Sequence, residues 1–219
     1  MVEQGSGRVP VVFRGSGENA LASYNYIDIA SGLGYVQYYA TKAATSGANV
    51  YELTNNVPFS NNIYTGASGT DGTIVSVDSF ETTTFNLPRV LKGEAYANIM
   101  LGYTDNNTGT ASTIKVKVTL QLERDSVTTI LAWADSAAVS IPHGSVYGYS
   151  TFLIPLTVTQ KNIKRGDIIK LKVEAIVVSY QGGTISVRLI HDPQNRSSDD
   201  STAEDISQSC LYLPFRIDA

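Results

Sequence analysis

Apolar and polar side chains alternate with a period of two along most of this chain, and that pattern predicts strands. In TIKVKVTLQLE, Ile114, Val116, Val118, Leu120 and Leu122 fall on one face, while Lys115, Lys117, Thr119, Gln121 and Glu123 fall on the other. A strand with one dry and one wet side follows. EAYANIMLGY places Ala95, Ala97, Ile99, Leu101 and Tyr103 together, and TFLIPLTVT does the same for Phe152, Ile154, Leu156 and Val158. Pro155 falls on the opposite face of that second strand, where an edge or a bulge tolerates a residue without an N–H. IIKLKVEAIVV aligns Ile169, Leu171, Val173, Ala175 and Val177. Its last residues are apolar at consecutive positions, which predicts a strand end covered on both faces. ISVRLIH aligns Ile185, Val187, Leu189 and His191, and LYLPFRI aligns Leu211, Leu213, Phe215 and Ile217.

Tyrosine-rich segments of weaker pattern, YNYIDIA, YVQYYAT and NVYELTNN, predict further strands. In TILAWADSAA, Thr128, Thr129 and Ile130 favour a strand running into a loop over a short helical turn. Turn-forming clusters separate these runs: SGTDGT, TDNNTGTAS, KRGD and YQGGT, rich in the Gly, Asn and Asp that accept positive φ. No segment carries a long helical period, and no repeat of fixed length suggests a propeller or a solenoid. Longer irregular connections at residues 134–150 and 192–209 suit a jelly roll better than a simple meander. The expected fold is therefore all-β, an antiparallel β-sandwich of jelly-roll type, spanning residues 21–219. Residues 1–20 form a separate glycine-rich N-terminal arm in this reading. Gly5, Gly7, Gly15 and Gly17 surround the apolar VPVVF, in which Val11, Val12 and Phe13 are the candidates for docking on the same domain or on a neighbour.

At 219 residues the chain can bury a substantial core without metal or disulfide staples. Its single cysteine, Cys210, has no internal partner and reads as a small buried apolar residue. A net charge of −4 lacks the basic field that nucleic acid requires, so no nucleic-acid partner is expected. No run approaches the ~18 apolar residues that span a bilayer, and no membrane partner is expected. Acidic Glu3, with no long apolar core behind it, does not read as a secretory signal. Charged residues make up only 16% of the chain, against ~25% in an ordinary soluble domain. That deficit, with thirteen tyrosines, suits surfaces that touch other protein. Tyr147 and Tyr149, in a loop beside His143, are the candidates for an interface or for stacking against a ligand.

The segment SVRLIHDPQNRSSDD gathers polar residues that a catalytic centre, a metal site or a simple turn can all use. His191 ends a strand on its inward side, and Asp192-Pro193 starts a turn because Pro fixes its own φ and restrains the residue before it. His191, Asp192, Pro193, Asn195 and Arg196 therefore read as a structural corner whose side chains pin the following loop. No catalytic residue is nominated: there is no G-x-S-x-G elbow, no phosphate-binding glycine loop, and serines and threonines are too many to single out one nucleophile. His143, His191 and Cys210 are too far apart in sequence for a zinc site, and no metal or other cofactor is expected. Asp199, Asp200, Glu204 and Asp205 are a possible calcium ligand set by composition, but their spacing matches no EF-hand, and a solvated loop is the simpler reading. A pair of carboxylates for glycoside hydrolysis cannot be picked out from twenty Asp and Glu. Arg165-Gly166-Asp167 spells an adhesion tripeptide but sits in KNIKRGDIIKLKV, where Gly-Asp makes an ordinary bend into a strand. Asn106-Asn107-Thr108 and Asn195-Arg196-Ser197 fit the glycosylation pattern, which means little without an export signal.

Two segments carry a resemblance. Lys164-Arg165-Gly166-Asp167 before a long strand, and the run His191, Asp192, Pro193, Asn195 and Arg196 closing the next, resemble a group of jelly-roll virion proteins of tailed bacteriophages and related viruses. The match covers less than a third of the chain. It implies a non-enzymatic structural protein decorating or stabilising a capsid or tail: a homo-oligomer, with a trimer favoured, located in the virion after assembly in a host cytoplasm. Other capsid or tail proteins would be its partners. The rival expectation is a β-sandwich module that binds a carbohydrate or a receptor.

Overall fold

The computed structural model describes residues 22–23, 33–47, 50–55, 64–69, 74–106, 111–142, 144, 147–180, 184–190 and 209–216. The strands of the first half are β1 (Ala22–Ser23), β2 (Leu33–Gly47), β3 (Val50–Thr54), β4 (Tyr64–Gly69), β5 (Ile74–Glu81) and β6 (Arg89–Asp105). The second half contributes β7 (Thr113–Arg124), β8 (Val127–Asp135), β9 (Val139–Ser140), β10 (Gly148–Ile163), β11 (Ile168–Ser179), β12 (Ile185–Ile190) and β13 (Cys210–Arg216). The described residues include no helix. The expected arm at residues 1–20 and the expected strand YNYIDIA lie outside them, as does nearly all of the connection at 192–209.

Hydrogen-bonded neighbours follow the order β4-β12-β6-β13-β2-β3-β5-β11-β7-β8, with β1 on β2, β10 on β6 and β9 on β7. β3 and β5 run parallel. The other described pairings are antiparallel. β6, seventeen residues long, holds the fold together. It pairs with β10 along one edge, and with β13 and then β12 along the other. The sheet curls over, so that β8 lies alongside β10 and β4 alongside β5. Its inward rows then meet in one hydrophobic core. The result is the antiparallel β-sandwich, of jelly-roll type, that the alternation predicts.

The predicted inward rows are the buried ones. Ile114, Val116, Val118, Leu120 and Leu122 from β7 pack with Ile169, Leu171, Val173, Ala175 and Val177 from β11, and with Phe152, Ile154, Leu156 and Val158 from β10. Ile185, Val187 and Leu189 on β12 and Leu211, Leu213 and Phe215 on β13 join them. Pro155 faces water on a strand that, among the described residues, pairs only with β6. Cys210 is buried and reduced. TILAWAD is the strand β8, which runs into a loop.

Two features correct the sequence reading. The end of β11 is not covered on both faces: Ile176 is half-buried, and Val178 is 54% exposed. The outer side of this antiparallel layer is open to water, and among the described residues no helix crosses it. β6, whose pattern promised one dry face, is buried on both faces from Ile99 to Asp105. Its outer side is covered at Gly102 by Tyr147 and Tyr149 and at Thr104 by Gly144, in the loop after β9.

Candidate binding surface

That loop is tied down bond by bond. The Asp105 N–H donates to the Pro142 carbonyl at 3.2 Å, and the Gly144 N–H donates to the Asp105 carbonyl at 2.8 Å. The Thr104 hydroxyl donates to the Gly144 carbonyl. Ser112 completes the corner: its Oγ donates to Asp105 Oδ2 at 2.7 Å, and its carbonyl accepts from the Ile141 N–H at 2.8 Å. Asp105 and Ser112 are both fully buried, so each polar group needs such a partner. The loop leads directly into Tyr147 and β10, and this anchoring sets where the tyrosines emerge.

Tyr149 stands opposite Gly102 on β6, and Gly102 stands opposite Arg188 on β12. All three point outward, since the inward residues of these strands are Phe152, Leu101 and Tyr103, and Val187 and Leu189. Side chains on a sheet ordinarily stand away from it. Tyr149 lies down over the backbone instead, and it can do so only because residue 102 has no side chain. A Cβ there would sit 2.6 Å from Tyr149 Cε1 and 3.5 Å from Tyr147 Cδ1. The two rings are 6.4 Å apart, centre to centre, and tilted by 31°. The Arg188 guanidinium carbon lies 3.9 Å from the centre of the Tyr147 ring, at cation–π stacking distance. Both tyrosines are half-buried. Beneath them, on the core side, the Tyr103 hydroxyl and Ser150 Oγ share a 2.6 Å hydrogen bond. The outcome is a flat aromatic shelf with a cation at its side.

The structure thus brings together Tyr147 and Tyr149, which the sequence singled out, and adds Arg188 and Gly102, which it did not. Arg188 was legible as the wet-side residue of ISVRLIH, but nothing in the sequence placed it across β6 from the tyrosines. His143, His191, Asp192, Pro193, Asn195 and Arg196 lie outside the described residues. The same holds for Val11, Val12 and Phe13, and for Asp199, Asp200, Glu204 and Asp205. Among the described residues no group of His, Cys, Asp and Glu is arranged to hold a metal ion.

The K-R-G-D turn is a clasp rather than a displayed motif. Asp167 is 2% exposed, and its carboxylate accepts from the Lys164 N–H at 2.7 Å. It also accepts from Arg124 Nε at 2.8 Å and Arg124 Nη2 at 2.6 Å. Hydrogen bonding by Arg124 holds this carboxyl below the usual aspartate range, against the opposing effect of burial. Gly166 adopts φ +89°, and its N–H donates to the Phe85 carbonyl at 2.8 Å, while the Phe85 N–H donates to the Asp167 carbonyl at 2.9 Å. The ordinary-bend reading of Arg165-Gly166-Asp167 is correct, since an adhesion motif must present its carboxylate to a partner.

On the outer side of the other layer, β8 exposes Ile130 and Trp133 by 59% and 60%, while Val127, on the opposite face beside the hairpin turn, is 66% exposed. Lys117 Nζ lies 5.2 Å from the centre of the Trp133 ring. Further along this face Lys170 bridges Glu123 at 2.7 Å and Glu81 at 3.2 Å, linking three strands in one charged row.

No protein-family model matches this sequence, and no curated protein matches it. Solved structures do share its shape. An aminopeptidase from a marine sediment archaeon, Thaumarchaeota archaeon, superposes with a TM-score of 0.58 at 9% identity, over 85% of this chain and 37% of that one. An alpha-amino acid ester hydrolase superposes with a TM-score of 0.53 at 11% identity, over 82% of this chain and 36% of that one. The structure of infectious bursal disease virus, Gt strain, aligns over 84% of this chain and 38% of that one at 12% identity, with a TM-score of only 0.32. The chain spans little more than a third of the length of these three proteins. At these identities the first two show a common β-sandwich and nothing of activity. The third is too loose to imply a common fold.

Proposed function

We propose that this chain is a non-enzymatic virion structural protein, a jelly-roll sandwich that self-associates and decorates or stabilises a capsid or tail. The observation that carries the reading is the outer side of β8, where Ile130 and Trp133, opposite the outward Gln121 and Thr119 of β7, are exposed by 59% and 60%. Apolar surface gathered this way on a sheet is the material of protein interfaces, with Trp the most effective single anchor. β10, which passes alongside β8, exposes Leu153 by 64%. Burial of such surface between copies contributes ~25 cal/mol per Å² before the costs of association. A trimer is the favoured assembly, and the apolar patch of the N-terminal segment, Val11, Val12 and Phe13, supplies the attachment to neighbouring virion proteins. The sequence resemblance supports the virion setting.

Sedimentation of the full chain at micromolar concentration tests this. A multimer that Trp133→Glu converts to a folded monomer supports the reading, and a wild-type monomer across that range overturns it. Flanking reading frames bear on the virion part: capsid and tail genes support it, and a set of metabolic enzymes overturns it.

A second reading, a carbohydrate- or receptor-binding module, is favoured by the shelf of Tyr147 and Tyr149. Flat aromatic surface with polar tips suits sugar rings as well as protein.

A further inference from the structure

We propose that the open cavity lined by Arg124, Gln160, Lys161, Asn162 and Lys164, where β7 and β10 end, binds an oligophosphate, free or carried on a nucleoside. Neither assembly nor the aromatic shelf is involved. The inward rows that build the core turn cationic at this end. On β7 the row from Ile114 to Leu122 continues to Arg124. On β10 one extra residue between Val158 and Lys161 shifts the alternation, so the row from Phe152 to Val158 passes to Lys161 and Ile163 and skips Gln160. Lys161 stands opposite the fully buried Leu91 and is itself half-buried. The cavity measures about 410 Å³ and gathers Lys161 and Arg124 with Lys164 of the turn into β11.

Arg124 is already held in place. Its Nε and Nη2 bind Asp167, Nη2 also donates to the Asn162 carbonyl at 2.9 Å, and Nη1 takes part in none of these bonds. Little order has to be created there on binding. Among the described residues neither Lys161 nor Lys164 forms a salt bridge through its ammonium. The carboxylates that attract Arg124 are those of Asp167, with which it pairs, and of Asp125 in the hairpin turn. Against these two stand Arg124, Lys161, Lys164 and the exposed Arg165, so the rim holds an excess of positive charge on a chain whose net charge is −4. Ammonium and guanidinium groups bind phosphate oxygens by charge-assisted hydrogen bonds, and the Gln160 and Asn162 carboxamides add neutral donors. The cavity is larger than one phosphate needs, and its lining includes no aromatic ring on which a base could stack. A chain of phosphates satisfies several of these cations at once.

Isothermal titration of the full chain with sodium tripolyphosphate, orthophosphate and ATP, without divalent metal, tests the proposal. Tripolyphosphate is expected to bind about tenfold or more tighter than orthophosphate, to match ATP within about threefold, and to weaken as salt rises. Lys161→Gln and Lys164→Gln are each expected to weaken it by about tenfold without changing the circular dichroism spectrum, while Lys161→Arg keeps most of the binding. Lys117→Gln removes the same charge from the outer side of β7 and should leave binding unchanged. The comparison of tripolyphosphate with orthophosphate needs no variant, so a misfolded mutant does not decide the outcome. No binding of tripolyphosphate at millimolar concentration overturns the proposal, as does binding that Lys161→Gln and Lys164→Gln both leave intact. Orthophosphate bound as tightly as tripolyphosphate, or ATP bound more than about tenfold tighter, overturns it as well, because a phosphate chain would then not be what the cavity recognises.

Discussion

Arg124 and Asp167, forty-three residues apart in sequence, are joined by a two-pronged ion pair, with Nε at 2.8 Å from one carboxylate oxygen and Nη2 at 2.6 Å from the other. The same guanidinium donates to the Asn162 carbonyl at 2.9 Å. One side chain at the end of β7 thus fixes both the end of β10 and the turn into β11. Asp167→Asn keeps the size of the side chain and removes its charge. It is expected to cost about 2 kcal/mol. For a chain of this length that lowers Tm by roughly 4 to 8 °C in a calorimetric scan. The pair also gives a pH dependence. Because the folded-state carboxyl is held below its ordinary range, the stabilisation is complete above the unfolded value of about 4 and is lost as pH falls through the depressed folded value. Thermal melts from neutral pH downward should show a loss that Asp167→Asn reduces.

Tyr38 makes the opposite case at alkaline pH. It is 8% exposed, and burial pushes its phenol up to about 12, with nearby Arg89 pulling slightly the other way. A neutral phenol is favoured in the folded state, so this stabilisation is present below the unfolded value of about 10 and is lost as pH rises towards 12. Ultraviolet titration should show a tyrosine that ionises late. Tyr38→Phe should remove that step and flatten the fall in stability over the same interval.

Gly102→Ala tests the shelf directly. The added methyl would overlap the Tyr149 ring, so the ring must lift or the strands must part. A cost of about 1 to 3 kcal/mol is expected from this overpacking. Shifted Tyr147 and Tyr149 ring resonances in NMR spectra, with the rest of the core unmoved, are the accompanying signature. Unchanged ring resonances would mean that Tyr149 does not rest on the backbone.

The β7–β8 hairpin turns through Asp125 and Ser126 at φ 52° and 64°. Two consecutive left-handed residues make the tight turn that suits the twist of a hairpin, and Asp accepts that conformation better than Ser. Ser126→Gly removes the strain at the second position. It should stabilise by about 1 kcal/mol, raising Tm by roughly 2 to 4 °C.

How much of this was legible in the sequence depended on how local its cause is. The inward rows of β7, β10 and β11 could be read because strand geometry alone sends alternate side chains to opposite sides. The bend at Gly166 could be read for the same local reason. Its partner Arg124 could not, since a contact across forty-three residues leaves no trace in the spacing of either segment. Tyr147 and Tyr149 stood out as aromatic residues in a loop, whereas Arg188 reaches them only through the placement of β12 and β10 on opposite edges of β6. Val178 misled because apolar residues at consecutive positions record composition, not which layers lie above them. The Asp125-Ser126 turn went unseen because neither residue is the glycine or asparagine that usually marks one.

β13 lies between β6 and β2, in the middle of the strand order, although it comes from the far end of the sequence. A nascent chain therefore emerges with two half-sheets that lack the strand between them until residues 210–216 are free of the ribosome, and that are held together only by their packed faces and the contacts of β10 with β8 and β4 with β5. Contacts that span so much chain form slowly, on the order of milliseconds to seconds. During that wait the greasy inner surfaces are open to holdase chaperones, and a polypeptide stopped short of β13 should be met by proteases rather than assembled.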